Sequence, residues 1–523
     1  MSLHKQSQES DLGEEMSERW SDHPLSTFSS EEVDATERPD LGRHGRHGQS
    51  GLSNAARGFR RTLLIQVVLC AIPASVFLGF GKVIYAGIYF WVTLAIAVIR
   101  LLILGHRKQL LCLLIALVPL INLLREISLY NTVSMIFALA LIVNIVAEPK
   151  RILDIVRRSP VVMGLIVFVV IYYALSFIFT LRYVTNLRMF ELVFSALAIL
   201  LVGRNRQMLG FALLGLVISG MAVGVAMLPH VSTFDVQRLG MIMVEGYVLG
   251  DPAQLGAQMS IAIFILAADG GRWINFQNKG LPRILLIVPA VMLLALSTSR
   301  TSWIIVLVGV ITLLFFGSGT RLRLLMFLGF GIIALELISL TPFGEGYQKG
   351  LNRTFGDDRG DLSHRTNGRT DMWLVGYRAF TSSLRSAIYG SGPGTGSRTY
   401  SRVSVLAPGV QYAVGGTPAI HSLYVQLAIE AGLLGLLPFM LGIILVFRKI
   451  LASMKESPEF VPLLCFFAYT IIIGSSSGTD TGTGIFLGLA LLGGMGASYF
   501  MDNARSSPRR NPVVEGGDPT IAV

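Results

Sequence analysis

Cysteine is scarce in this chain. Cys70, Cys112 and Cys465 are the three in 523 residues; each lies inside an apolar run, and no Cys-x-x-Cys or Cys/His spacing occurs. That excludes a disulfide framework and a structural zinc site, and leaves the thiols as small hydrophobes. Charge is scarce too: 14% of the residues are charged, against roughly 25% in an ordinary soluble domain. A soluble helical protein of this size needs polar faces at helical period, and the apolar runs do not show them. No apolar segment follows the first residues, so no secretory signal peptide is expected.

What is present is hydrophobic and unevenly placed. Hydrophobic residues make up 52% of the chain and the mean hydropathy is +0.62. They fall in runs of roughly 17–25 residues, the length that crosses about 30 Å of hydrocarbon. The expected fold is an all-α polytopic membrane protein of about 14 transmembrane helices, with 12–14 compatible with the pattern, and one large extracytoplasmic loop containing short helices. The spans fall near 62–80, 84–104, 108–124, 130–147, 159–181, 188–203, 207–228, 252–269, 281–299, 302–317, 322–341, 421–447, 459–474 and 482–500.

Basic connections orient these spans. HRK at 106–108, the run 149–158, GRNR at 203–206, 271–283, TRLR at 320–323, 447–455 and 503–510 all fall on one side, which the positive-inside rule makes cytoplasmic. Both termini are then cytoplasmic, and 229–251 and 342–420 lie outside. The domain reading is a disordered, acid-rich tail over 1–60, spans 1–11 over 61–341, the outer loop over 342–420, spans 12–14 over 421–500 and a cytoplasmic tail over 501–523. GRHGRHG at 42–48 reads as solvated linker or as a metal-binding tract. The net charge of +11 follows from cytoplasmic Lys and Arg, so nucleic acid is not an expected partner.

The outer loop does not follow that logic. Between 342 and 420 stand nine Lys or Arg and five acids, where topology calls for no cations. Arg300 ends one span and meets the next at once, so its guanidinium either snorkels to headgroups or holds an anion between two helices. NGRTDMWLVGYRAF over 367–380 reads as an amphipathic helix with Met372, Leu374, Val375 and Phe380 on one side. Arg369 then lies near a helix N-terminus, where backbone N–H groups favour an anion; a salt bridge to Asp371 is the competing role. Together, Arg300 and Arg369 could hold a diphosphate.

YGSGPGTGS over 389–397 lacks Walker spacing and a following Lys-Ser/Thr, so it reads as a tight loop for close backbone approach, with no cofactor assigned. His421 opens a span at the outer interface, either as a structural hydrogen-bonding residue or as a general base kept neutral by the helix N-terminus. Tyr424 is three residues on. Glu430, nine residues on, is expected to pack or hydrogen-bond within the bundle. In 229–251, Asp251 suits a cap ahead of Pro252, and Arg238 is a candidate contact to acceptor or phosphate.

These motifs carry a resemblance. STSR (297–300), GRTDMW (368–373), GSGPGT (390–395), HSLYVQLAIEAGLLG (421–435) and RLG (238–240) ahead of GDPAQLGAQ (250–258) make the chain similar to the bacterial O-antigen ligase and O-antigen polymerase superfamily over roughly 60–500. It departs from the family's His-Asn at His421-Ser422 and from Asn-Pro-Asn at Asp251-Pro252-Ala253. The resemblance implies a metal-independent inverting glycosyltransferase at the outer face of the bacterial inner membrane. No cofactor is implied; the donor is an undecaprenyl-diphosphate-linked glycan, and the product is polymerised O-antigen or exopolysaccharide, or a glycan ligated to a lipid core or protein.

In that reading His421, Arg369 and Arg300 are catalytic, and Arg238, Tyr424 and Arg378 contact substrate. The implied partners are the bilayer, the lipid-linked donor, the acceptor, and a chain-length regulator or flippase. A transporter or flippase for lipid-linked sugars is the alternative from another class; it predicts internal repeats, mid-membrane charges and short loops on both sides, whereas no repeat is seen and the largest polar element is the outer loop. A peptidoglycan polymerase would need an essential outer-loop Asp, for which Asp371 is the nearest candidate.

Overall fold

The computed structural model describes residues 45–124, 132–158, 160–180, 188–203, 205–233, 242–244, 247–249, 252–267, 280–297, 299–316, 369–392 and 422–456, with isolated positions between and beyond them. At some, Arg300 and Arg369 among them, the backbone alone is described. The chain divides into two compact units, Met1–Arg57 and Gly58–Val523, and the second contains the helical bundle.

The described residues are helical apart from one short hairpin. The helices are α1 Gly45–Gly79, α2 Val83–Ile103, α3 Arg107–Ala116, α4 Val118–Leu123, α5 Thr132–Ala147, α6 Pro149–Arg158, α7 Pro160–Thr180, α8 Arg188–Gly203, α9 Arg206–Met227, α10 Pro252–Ala267, α11 Gly280–Ser297, α12 Arg300–Phe316, α13 Arg369–Phe380, α14 Leu384–Tyr389 and α15 Leu423–Glu456. The hairpin pairs β1 Ile242–Val244 antiparallel with β2 Tyr247–Leu249, Ile242 opposite Leu249. The helical expectation overlooked it: its two strands are three residues long, below the length at which alternation becomes readable.

Four segments are long and apolar enough to cross a membrane: Thr62–Gly79, Val83–Ile103, Met208–His230 and Leu423–Ala452. α5, α7, α8, α10, α11 and α12 contain shorter apolar stretches in expected spans. The expected span 108–124 is two helices, α3 and α4, because Pro119 enters at the start of the second and cannot continue the first helix's hydrogen bonding. Expected spans 322–341, 459–474 and 482–500 fall almost wholly outside the described residues.

α3 is buried on every side from Gln109 to Ala116, which makes it the centre of the bundle and explains why its apolar residues show no periodic face. α9 packs along it: the Ser219 hydroxyl donates to Ala116 O, and a Cβ at Gly215 would fall on that of Ala116. α2 instead has one face in the bundle, through Phe90 and Leu94, and an opposite face of exposed Ile88, Val92 and Ile96. An apolar residue that the protein leaves uncovered there is a lipid-facing one.

Helix ends sort into two groups, as alternating spans require. At one end, His230 Nε2 donates to Leu78 O at 2.8 Å, Gly224 meets Leu293, and Gly256 near the start of α10 fits between Ser297 and Ser302. At the other, Lys108 Nζ pairs with Glu148 Oε1 at 2.8 Å, and Asn144 Nδ2 donates to Arg107 O at 3.3 Å. The second group adjoins the basic connections at 106–108 and 149–158.

α15 is not a straight rod. Gly432 inside it has φ 61 and ψ −161, a region essentially reserved for glycine, and the rings of Tyr424 and Phe439 lie 6.3 Å apart. Along an unbroken helix those residues would be separated by about 22 Å, so the limbs Leu423–Ala431 and Leu433–Glu456 fold back toward each other. The second limb alone has the length of a span.

Gly390, at the end of α14, has φ 74. Its Cβ would strike the Glu430 carbonyl, and a Cβ on Gly432 would strike that of Ile388. The two glycines therefore lock backbone to backbone. Gly432→Ala and Gly390→Ala should each destabilise the protein by about 2 kcal/mol or more, whereas Gly442→Ala, whose Cβ meets nothing within 4 Å, should be neutral or slightly stabilising. Thermal unfolding of the three purified variants in detergent checks this.

Candidate functional site

α13 and α14 stand on the first limb of α15. Val375 and Ala379 are buried with Ile429, and Val403 and Val425 pack beside them. Gly376 makes this approach possible, since any Cβ there would fall on Val425. The buried face is thus Val375, Gly376 and Ala379, and Leu374 is exposed; the grouping of Leu374 with Val375 does not hold. At 100° per residue Leu374 points away from the Val375–Ala379 line.

Ser383 caps α14, accepting from Ser386 N at 3.0 Å, and the chain then enters the glycine segment. Ser391 N donates to Ile429 O at 2.8 Å and Gly392 N to Glu430 O at 3.0 Å. These carbonyls would have been bonded within α15 had the helix continued; the bend frees them and the glycine segment satisfies them. Close backbone approach, expected for this segment from its composition, is what it provides.

The same junction contains Glu430, 2% exposed. Its Oε2 accepts from the Tyr172 hydroxyl of α7. Its Oε1 accepts from Gly396 N at 3.0 Å and from Gln426 Nε2 at 3.2 Å. One carboxylate thereby ties α7, the first limb and the glycine segment together. Such burial is tolerable for an acceptor-only group because donors surround it. The aromatic contacts Phe168–Tyr172 and Phe168–Phe439, at 5.7 and 6.0 Å, extend the contact of α7 with the second limb.

Of the site residues expected from sequence, Arg300 is the first residue of α12, whose N-terminus Ser299 caps through a 3.4 Å bond to Ser302 N. Ser260 Oγ of α10 donates to Ser302 O at 3.3 Å, which holds α10 close to the start of α12. Arg369 is the first residue of α13. Both cations thus sit where helix N–H groups are unpaired by the helix itself. Arg378, in the last turn of α13, is exposed, which suits a cation at a helix C-terminus.

Tyr424 donates its hydroxyl to Ile471 O at 3.3 Å, and its ring faces Phe439. Ser422, the residue that stands where the family often has Asn, is buried and accepts from Val425 N at 3.4 Å, so it caps the first limb. His421 and Arg238 lie outside the described residues, as does Asp251.

The described contacts bring α13, α14, α15 and α7 into one assembly; α12, with Arg300, packs on α10. Among the described residues no cluster of His, Cys, Asp or Glu has the makings of a metal site. The role of Glu430 as the organiser was only half readable: its packing within the bundle was expected, but its partner Tyr172 stands 258 positions away.

Replacing Glu430 by Ala removes the shared acceptor of the Tyr172 hydroxyl, Gly396 N and Gln426 Nε2, and should cost about 2–4 kcal/mol of stability. Glu430→Gln keeps an acceptor and should cost roughly 1 kcal/mol. Unfolding temperatures in detergent, with Tyr172→Phe as the third variant, measure the difference.

No curated protein matches the chain. Over residues 285–440, a stretch that includes Arg300, Arg369, Glu430 and position 421, it matches the family model described as O-Antigen ligase.

Proposed function

We propose that the protein is a glycosyltransferase that moves a glycan from undecaprenyl diphosphate to an acceptor hydroxyl at the outer face of the bacterial inner membrane. A multi-pass membrane protein with an O-antigen ligase-type region is an agent of surface-glycan assembly; the donor, the side of the membrane and the residue roles are the proposal's own. The observation that carries it is that one family match embraces Arg300, Arg369 and His421, with both arginines standing first in their helices. Helix N-termini and forked guanidinium donors are complementary to a diphosphate.

The proposed reaction is a single displacement. The acceptor oxygen forms a bond to the anomeric carbon as the bond from that carbon to the diphosphate oxygen breaks. The leaving group departs as undecaprenyl diphosphate, its developing charge held by Arg300 and Arg369. The acceptor proton passes to His421, and the anomeric configuration inverts. Neither a nucleotide sugar nor a metal ion is required. Arg238, Arg378 and Tyr424 contact the acceptor or the donor's first sugars.

Both termini are cytoplasmic, 342–420 is extracytoplasmic, and the working partners are the bilayer, the acceptor and the chain-length regulator or flippase of the same system. Repeat-unit polymerisation and ligation to a core share this chemistry and differ in acceptor.

His421→Ala and Arg300→Ala proteins should insert normally and transfer on the order of 10²–10³ more slowly in proteoliposomes supplied with a lipid-diphosphate glycan. Full activity in either variant contradicts its assignment. With the unaltered protein, a ladder of repeats indicates polymerisation, and a single discrete product on lipid core indicates ligation.

A further inference from the structure

The face of α13 turned away from α15 is apolar and aromatic. Trp373, Leu374 and Tyr377 are 38%, 51% and 62% exposed, and Leu384 at the start of α14 is 78% exposed. Arg378 and Arg385 stand among them, and both are exposed. In water this would be an unfavourable surface for a short helical hairpin.

Its neighbours are apolar as well. Gly390 closes α14 directly against the bend of α15, and the uncovered apolar residues of the second limb begin just after that bend, at Leu433, Leu434 and Leu437. On the other side, Glu430 is joined to Tyr172, and around that level α7 exposes Val167, Val170 and Ile171. The hairpin therefore joins the bundle at a height where both flanking helices present apolar side chains to lipid.

We infer that the outward face of the α13–α14 hairpin lies against the phospholipid bilayer, with Trp373, Leu374, Tyr377 and Leu384 in the interfacial and upper acyl layer and Arg385 reaching lipid phosphates. Trp and Tyr favour that layer because their rings are apolar and their edges polar, and Arg side chains extend from apolar surface to phosphate. The inference rests on the membrane character of the bundle. Combined with the proposed function, it sets Arg369, at the opposite end of the same helix, close to the depth at which a lipid carrier's diphosphate lies.

The test uses the full chain in liposomes and requires no donor or activity, so its outcome is independent of the glycan-transfer reading. Tyr377→Cys and Leu384→Cys are spin-labelled in a background whose native cysteines are replaced, with Leu441→Cys on the second limb as lipid-facing reference. Both hairpin labels should collide with oxygen much as the reference does and be protected from a water-soluble nickel chelate. Chelate access like that of a label in the N-terminal tail, or exclusion of both reagents, overturns the inference. On the protein with its cysteines intact, brominated phospholipids should quench the emission component lost in Trp373→Phe by about half; unchanged emission likewise overturns it.

Discussion

The bend of α15 depends on a single arrangement of backbone and carboxylate. Breaking a helix inside a bundle frees carbonyl groups that must find other donors, because a buried carbonyl left unpaired is costly. Here the glycine segment supplies them: Ser391 N and Gly392 N bond to Ile429 O and Glu430 O. The Glu430 side chain secures the other components through Tyr172, Gln426 and Gly396. Neither half suffices alone. Without the break the carbonyls would be unavailable to the glycine segment, and without the segment the break would leave them unsatisfied.

The consequence is mechanical. α13 begins at Arg369, lies on the first limb through Val375, Gly376 and Ala379, and passes by way of α14 into the junction. A polar stretch inserted between spans would ordinarily move relative to the membrane; this one is pinned at its centre to a membrane helix. Any chemistry placed at the start of α13 thereby acquires a fixed relation to the first limb of α15, which begins two residues beyond His421. In the bundle itself the approach of helices relies on small residues, as where Gly309 receives the ring of Phe264 and Gly256 lies between two serines. That is the usual means of close packing where lipid competes for apolar contact.

Much of this was legible in the sequence, and the reasons are physical. Run length located most helices, because a span must be long and apolar whatever it packs on. The glycine segment announced close approach, although not what approached it. The bend was hidden: a glycine in an apolar run is common in membrane helices, and nothing in LAIEAGLLG distinguishes Gly432, which turns the chain, from Gly435, which stays helical. The α13 face was misgrouped because Leu374 is as apolar as Val375; the deciding residue was Gly376, which sequence periodicity ignores and Val425 requires. Tyr172 could not be paired with Glu430 from sequence at all, since both lie in runs that only tertiary contact joins.

The folded-back geometry of α15 is the claim on which the rest turns, and proximity across the bend measures it most directly. With the native cysteines replaced, a Tyr424→Cys, Phe439→Cys protein carrying a protease site between the pair is treated with a short bifunctional thiol reagent in the membrane. The 6.3 Å ring separation predicts efficient intramolecular cross-linking that holds the cleaved fragments together. Failure to cross-link, with both thiols shown to be reactive, would mean a continuous helix with those positions about 22 Å apart, and would contradict the folded-back arrangement.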